Sequence, residues 1–226
     1  MLGIIGAMDV EIKKIKSHIE EPTVKTAAGC EFVTGKIGSH KVCAVQCSPG
    51  KVNAAQCTQA MLDNFDIDAV INIGVGCSLN EGVVIGNVVV ADSVCQYDID
   101  ITALGEEKGL INGLNIVKIP TDPELSNALI NSAKQLGYST FSGTVASGDT
   151  FIGSDKMKAQ IASDFGACCG EMEGGAIGQV CYINGVKFAV LRSISDGGDE
   201  SVQVDYPTFK PIAADISSKI LLEIFK

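Results

Sequence analysis

The chain has 226 residues, 46% of them hydrophobic and 19% charged, enough to bury a substantial core, and it reads as one soluble domain over residues 1–226. Lysine and arginine number 17 against 27 acidic residues, a net charge of -10 that repels nucleic acid and anionic membrane surfaces, and no local basic patch offsets it. No apolar run reaches the ~20 residues of a membrane span and no basic leader precedes the first apolar segment, so the expected location is the cytoplasm.

In chain order, strand and helix signals alternate, the pattern of an α/β fold. Residues 2–6 form a short apolar strand, and residues 8–19 carry Met8, Ile12, Ile15 and Ile19 at helical spacing, with Glu11 near the helix start. Residues 32–37 and 42–47 read as a β-hairpin across Gly38-Ser39. Ser48-Pro49-Gly50-Lys51 then turns into a helix to about residue 65. Its Gly-Lys pair is not a phosphate loop, because G-x-x-x-x-G-K-S/T is not met and Val52 stands where a hydroxyl is required.

Residues 69–73 form a buried strand feeding a loop of small residues, Gly74-Val75-Gly76-Cys77-Ser78, where backbone can approach a ligand closely. Residues 83–94 are strongly β, with Gly86-Asn87 able to bend them, and lead into a polar stretch at 96–113, long enough to suggest a functional segment or an interface. A helix over 123–136, a strand over 140–146 and a helix over 156–165 follow. Between the last two lies Ser147-Gly-Asp-Thr-Phe-Ile152, where Phe151 is either core or a stacking platform. A final helix is expected over 207–225, with Pro207 or Pro211 in its first turn.

The chemistry is expected in residues 170–196. A small-residue helix over 174–180 and a strand over 186–191 separate Glu173, which closes one strand, from Asp196, which follows the next. In a parallel sheet both acids reach the edge where ligands bind. Only His18 and His40 are present, neither near these loops, so a Ser-His-Asp or Cys-His nucleophile is unsupported. The nine cysteines read as small buried hydrophobes of a reducing compartment, and their spacing makes no metal site. Two carboxyl groups suit acid/base work on a bond that breaks with oxocarbenium character, one protonating the leaving group and one activating water. The acid needs a pKa raised from ~3.9, and Ser195 can orient Asp196.

Four motifs, Gly3-Ile-Ile-Gly-Ala-Met-Asp-Val-Glu11, Ser147-Gly-Asp-Thr-Phe-Ile152, Glu171-Met-Glu173 and Arg192-Ser-Ile-Ser-Asp196, together resemble the 5′-methylthioadenosine/S-adenosylhomocysteine nucleosidases of the nucleoside phosphorylase/hydrolase superfamily. The resemblance spans the whole chain in the same order. It implies a three-layer α/β/α fold around a mixed, partly barrel-like sheet, a homodimer, a small-molecule nucleoside substrate and no cofactor or metal. It also implies that Asp196 protonates adenine N7, that Glu11 deprotonates the attacking water and that Arg192 lies near that water and Glu11. Glu173 would hold the ribose hydroxyls beside Glu171, Met172 would pack under the sugar, Phe151 would stack on adenine and the Ile152 backbone would read its edge. Arg192 is the only arginine, so a phosphate nucleophile, which favours several guanidinium contacts, is less expected than water.

The sequence departs from the family at Val75, where a serine is common, at Cys77 in the same loop, and at Leu104, where an aromatic is frequent in a loop that would cap the 5′ substituent from the partner subunit. Two alternatives stay open at this point: a phosphate-dependent nucleoside phosphorylase, and a non-catalytic nucleoside-binding or storage protein.

Overall fold

In the computed structural model, which describes residues 1–226, the neighbouring Ile4 and Ile5 enter two different cores. Successive side chains of a strand face opposite sides of a sheet, and this chain buries both sides. The strands are β1 (Leu2–Gly6), β2 (Glu20–Ala27), β3 (Cys30–Ile37), β4 (His40–Gln46), β5 (Ala69–Ser78), β6 (Val88–Gln96), β7 (Ile119–Pro120), β8 (Thr140–Ser147), β9 (Ala167–Glu171) and β10 (Lys187–Asp196). The helices are α1 (Asp9–Ser17), α2 (Lys51–Asn64), α3 (Pro123–Gln135), α4 (Asp155–Phe165), α5 (Gly174–Ile183) and α6 (Val202–Glu223). Met61 of α2 and Ile177 of α5 join Ile5, Phe188 and Val190 in one core. Ile12 of α1, Leu129 of α3 and Ile216 and Ile220 of α6 join Ile4 and Leu191 in the other. Helices on two faces of one sheet make the three layers expected.

The sheet runs β10-β6-β8-β9-β5-β1-β4-β3-β2, and β10 pairs with β5 as well, so β5, β10, β6, β8 and β9 close into a five-stranded mixed barrel. That ring is the partly barrel-like sheet of the expected fold. The strand β5 is its hinge. Along one edge, residues 69–72 pair with β1, and only at Cys77 and Ser78 does β9 take over. In the gap between them the Val75 amide has no strand partner, and a side chain from another element fills the place.

Several boundaries differ from the sequence reading. Residues 74–78 are not a loop but the second half of β5, held by β10 from Gly74 to Cys77. A strand at Glu20–Ala27 was not expected at all; it is the outer edge strand, exposed on both faces, so it shows no apolar alternation. The strand β6 begins at Val88 because residues 84–87 form a turn, with Gly86 at φ +86°. Helix α6 begins at Val202, so Pro207 and Pro211 lie inside it rather than in its first turn. That half of the helix runs along the surface, where carbonyls freed by the missing proline N–H groups meet solvent. Finally, the strand before α5 ends at Glu171, and Glu173 is the cap residue of α5 rather than a strand end.

Candidate active site

The turn between β1 and α1 is where the first acid is made. Glu11 lies in the first turn of α1, where its Oε2 accepts the amides of Ala7 (2.8 Å) and Met8 (2.9 Å), and its Oε1 accepts the orphaned Val75 amide of β5 at 3.0 Å. The helix-start reading and the functional reading therefore describe one carboxylate. Its neighbour strand must be bare to receive it: a Cβ on Gly74 would stand 2.7 Å from Glu11 Oε1 and 3.5 Å from the Arg192 guanidinium carbon. Glu11 is 2% exposed. Burial pushes its pKa up, against the Arg192 charge and the three amides, which favour the carboxylate.

Asp196 closes β10 just past a bulge at residues 194–196, and is 1% exposed. Ser195 Oγ donates to its Oδ2 at 2.8 Å and the Gly198 amide to its Oδ1 at 3.0 Å, the latter from a turn with Gly198 at φ +67°. Burial raises its pKa, and Asp199 and Asp205 add to the rise, while Ser195 and Gly198 oppose it. The serine thus orients the acid but does not help it keep a proton; desolvation does that.

Behind these acids sits Arg192, fully buried on β10. Its guanidinium pairs with Glu171 Oε2 and Asn72 Oδ1, donates to the Leu191 carbonyl at 2.9 Å, and stands 3.8 Å from Glu173. It faces carboxylates and stands near Glu11, as expected, but does not itself line the cavity. Glu171 is equally occupied: Ser147 Oγ donates to its Oε1, and its Oε2 also accepts the amides of Glu173 (3.0 Å) and Gly174 (2.7 Å) at the start of α5. Glu173 by contrast keeps Oε2 free of hydrogen bonds and receives only the Gly50 amide at 3.0 Å on Oε1. Burial and the adjacent Glu171 push its pKa up to about 8, against Arg192 and Gly50.

One cavity, about 520 Å³ including its open mouth, unites these groups. Glu11, Val75, Phe151, Ile152, Glu171, Met172, Glu173, Ser195 and Asp196 all line it, and Arg192 does not. Leu104 does not line it either; it lies in a short 3-10 turn, 80% exposed. Tyr206 of α6 does line it and was missed by the sequence reading. Its ring meets the edge of Phe151 (centroids 5.1 Å apart, 80° between planes) and its hydroxyl approaches Met8 Sδ at 3.4 Å, so two aromatic rings form one apolar wall. Nothing in the spacing of a helix interrupted by two prolines marked that tyrosine. Pro49, Cys77 and Thr150 also line it.

The lining contains three glutamates and an aspartate and no lysine or arginine. Such a cavity suits a neutral polar ligand with hydroxyls for carboxylates and a flat ring for Phe151, and it disfavours a phosphate dianion. Its buried acids can give a proton at one point and take one at another.

Comparison with known proteins agrees with this geometry. The family model described as Phosphorylase superfamily matches residues 1–226. A 5′-methylthioadenosine/S-adenosylhomocysteine nucleosidase of Haemophilus influenzae (strain PittEE) is 38% identical over 224 residues, covering 99% of this chain and 97% of the relative. A nucleosidase of the same name from Halalkalibacterium halodurans is 34% identical, covering 99% and 96%. Among solved structures, that of the Neisseria meningitidis nucleosidase in complex with methylthio-immucillin-A superposes with a TM-score of 0.95 at 29% identity, covering 99% of this chain and 97% of that one. By sequence along its whole length and by fold, the chain belongs to the phosphorylase superfamily and, within it, to the 5′-methylthioadenosine/S-adenosylhomocysteine nucleosidases.

Proposed function

We propose that this protein hydrolyses the N-ribosidic bond of 5′-methylthioadenosine, S-adenosylhomocysteine and related 5′-substituted adenosines, releasing adenine. The observation that carries the reading is a cavity with two buried, differently held acids, Asp196 and Glu11, and no cation in its lining. In the reaction the C1′–N9 bond breaks as Asp196 passes its proton to N7, so the adenine leaves neutral. A water oxygen bonds to C1′ while Glu11 takes the water's proton, and solvent exchange later resets both acids. Each proton transfer by a positioned group contributes about 10²- to 10⁴-fold.

The remaining residues bind and orient. The free Oε2 of Glu173 accepts the ribose hydroxyls, Met172 packs under the sugar, and Phe151 stacks on the base while the Ile152 backbone reads its edge. Ser195 orients Asp196. Arg192 acts from behind, and Glu171, at the cavity wall beside Glu173, accepts the Glu173 amide and holds it in place. Val75 supplies its backbone amide to Glu11 and leaves the ribose and water without the hydroxyl a serine would bring. The protein works in the cytoplasm as a homodimer, whose neighbour loop around the exposed Leu104 caps the 5′ substituent. The test is to incubate the protein with methylthioadenosine, S-adenosylhomocysteine and adenosine, with and without phosphate, and follow free base. Adenine release independent of phosphate is expected. Release that requires phosphate, with a sugar phosphate as product, would identify a phosphorylase, and binding without release a non-catalytic protein.

A further inference from the structure

The Ser48-Pro49-Gly50-Lys51 turn resembles a phosphate loop only in part, yet it is built with care. Ser48 (φ +69°) and Gly50 (φ +102°) both hold left-handed backbone, a strained state for the serine that persists only where surroundings fix it. The surroundings are specific. The Gly50 amide donates to Glu173 Oε1 at 3.0 Å, and the next amide, of Lys51, donates to Asp149 Oδ1 at 2.8 Å. The Lys51 ammonium pairs with Asp98 Oδ1 and reaches Gln96 Oε1 at 3.1 Å, and Asp98 Oδ2 accepts the Asp149 amide at 2.9 Å. Lys51, Asp98 and Asp149 thereby close a ring of hydrogen bonds across three segments: the start of α2, the end of β6 and the loop after β8. The pair at its centre is partly shielded, with side-chain exposures of 17% for Lys51 and 26% for Asp98, so it is screened less than a surface pair.

We propose that the Lys51–Asp98 pair is a positioning clamp, which locks the turn so that the Gly50 amide stays on Glu173 and turns the other Glu173 oxygen toward the substrate sugar. Neither Lys51 nor Asp98 lines the cavity, so both act through the turn. The inference rests on the nucleosidase reading of that cavity.

The test is kcat/KM for methylthioadenosine in Lys51→Met, Lys51→Arg and Asp98→Asn, each alone and combined with Glu173→Ala, with thermal melting as the check on folding. Lys51→Met and Asp98→Asn each lower kcat/KM about ten-fold, the size expected for one weakened hydrogen bond, and Lys51→Arg restores it to within about three-fold. In the Glu173→Ala background the Lys51→Met effect shrinks below about two-fold, because the acceptor of the Gly50 amide through which it acts has gone. If Lys51→Met fails to fold, Asp98→Asn, which keeps the shape and an acceptor for the Asp149 amide, decides by the same criteria. An unsubstituted protein that releases adenine alongside variants at its full rate overturns the clamp alone, as does a Lys51→Met loss that persists undiminished without Glu173. An unsubstituted protein that releases no adenine overturns the nucleosidase reading and the clamp with it.

Discussion

The two buried acids of the cavity are the same functional group held in opposite ways. Glu11 receives three backbone amides, two from the β1–α1 turn and one from the gap in β5, with the Arg192 charge behind them. Asp196 receives one hydroxyl and one amide, from a two-glycine turn, and its charged neighbours are Asp199 and Asp205, acids like itself. Burial raises both pKa values, but amides and a cation favour the ionised form at Glu11 while nearby carboxylates favour the proton at Asp196. The contrast shows how one sheet edge can favour an ionised carboxyl at one place and a protonated one at another without a histidine: by the donors and charges set around each.

Asp196→Asn breaks the contrast on the acid side and has the largest expected effect. It keeps the Ser195 and Gly198 partners within reach but holds no proton to give, so adenine release falls by about 10³-fold or more while methylthioadenosine still binds by calorimetry. Glu11→Gln breaks the base side. It loses about 10²- to 10³-fold in kcat, less than the acid variant, because the glutamine oxygen still accepts the Ala7 and Met8 amides and holds the side chain in place, while its nitrogen, a donor, loses the Val75 amide and takes no proton from water. Glu173→Gln leaves both acids and removes the sugar contact, for a loss of about 10- to 100-fold in kcat/KM, read mainly in KM.

Glu173 also gives a stability prediction with a definite sign. Its folded pKa of about 8 lies above the ordinary glutamate value of 4.5, so its contribution is full below pH ~4.5 and is lost as pH rises toward 8. Between these limits the melting temperature of the unsubstituted protein falls more steeply with pH than that of Glu173→Gln, and parallel slopes would remove the shift. Val75→Ser sharpens the comparison with the smallest effect. The Val75 side chain packs with Ala213 and Ala214 of α6 while only its amide serves Glu11, so an added hydroxyl changes kcat/KM by less than about ten-fold.

Much of this was legible in the sequence, for physical reasons that can be named. The apolar strands at 2–6, 69–73 and 186–191 carry the burial signal of a doubly covered sheet, and four spaced motifs brought Glu11, Phe151, Glu173 and Asp196 to one cavity. The edge strand β2 was invisible because neither of its faces is buried, so no periodicity marks it. The glycines of 74–78 suggested a loop, since sequence cannot show that they are small in order to let Glu11 and Arg192 pack against a strand. Tyr206 escaped because the prolines of α6 argue for a helix start at 207, one residue too late to include it. The pairing of Arg192 with Glu171 was not legible, because the two lie 21 residues apart and only the closed barrel brings them together.

The division of labour between the acids is tested most directly by the pH dependence of kcat/KM for methylthioadenosine in the unsubstituted protein, Asp196→Asn and Glu11→Gln. A base must be ionised and an acid protonated, so the unsubstituted profile is bell-shaped, its acidic limb set by Glu11 and its alkaline limb by Asp196. The account predicts that Asp196→Asn loses the alkaline limb of its residual activity and Glu11→Gln the acidic one. Both limbs persisting unchanged in both variants would contradict it.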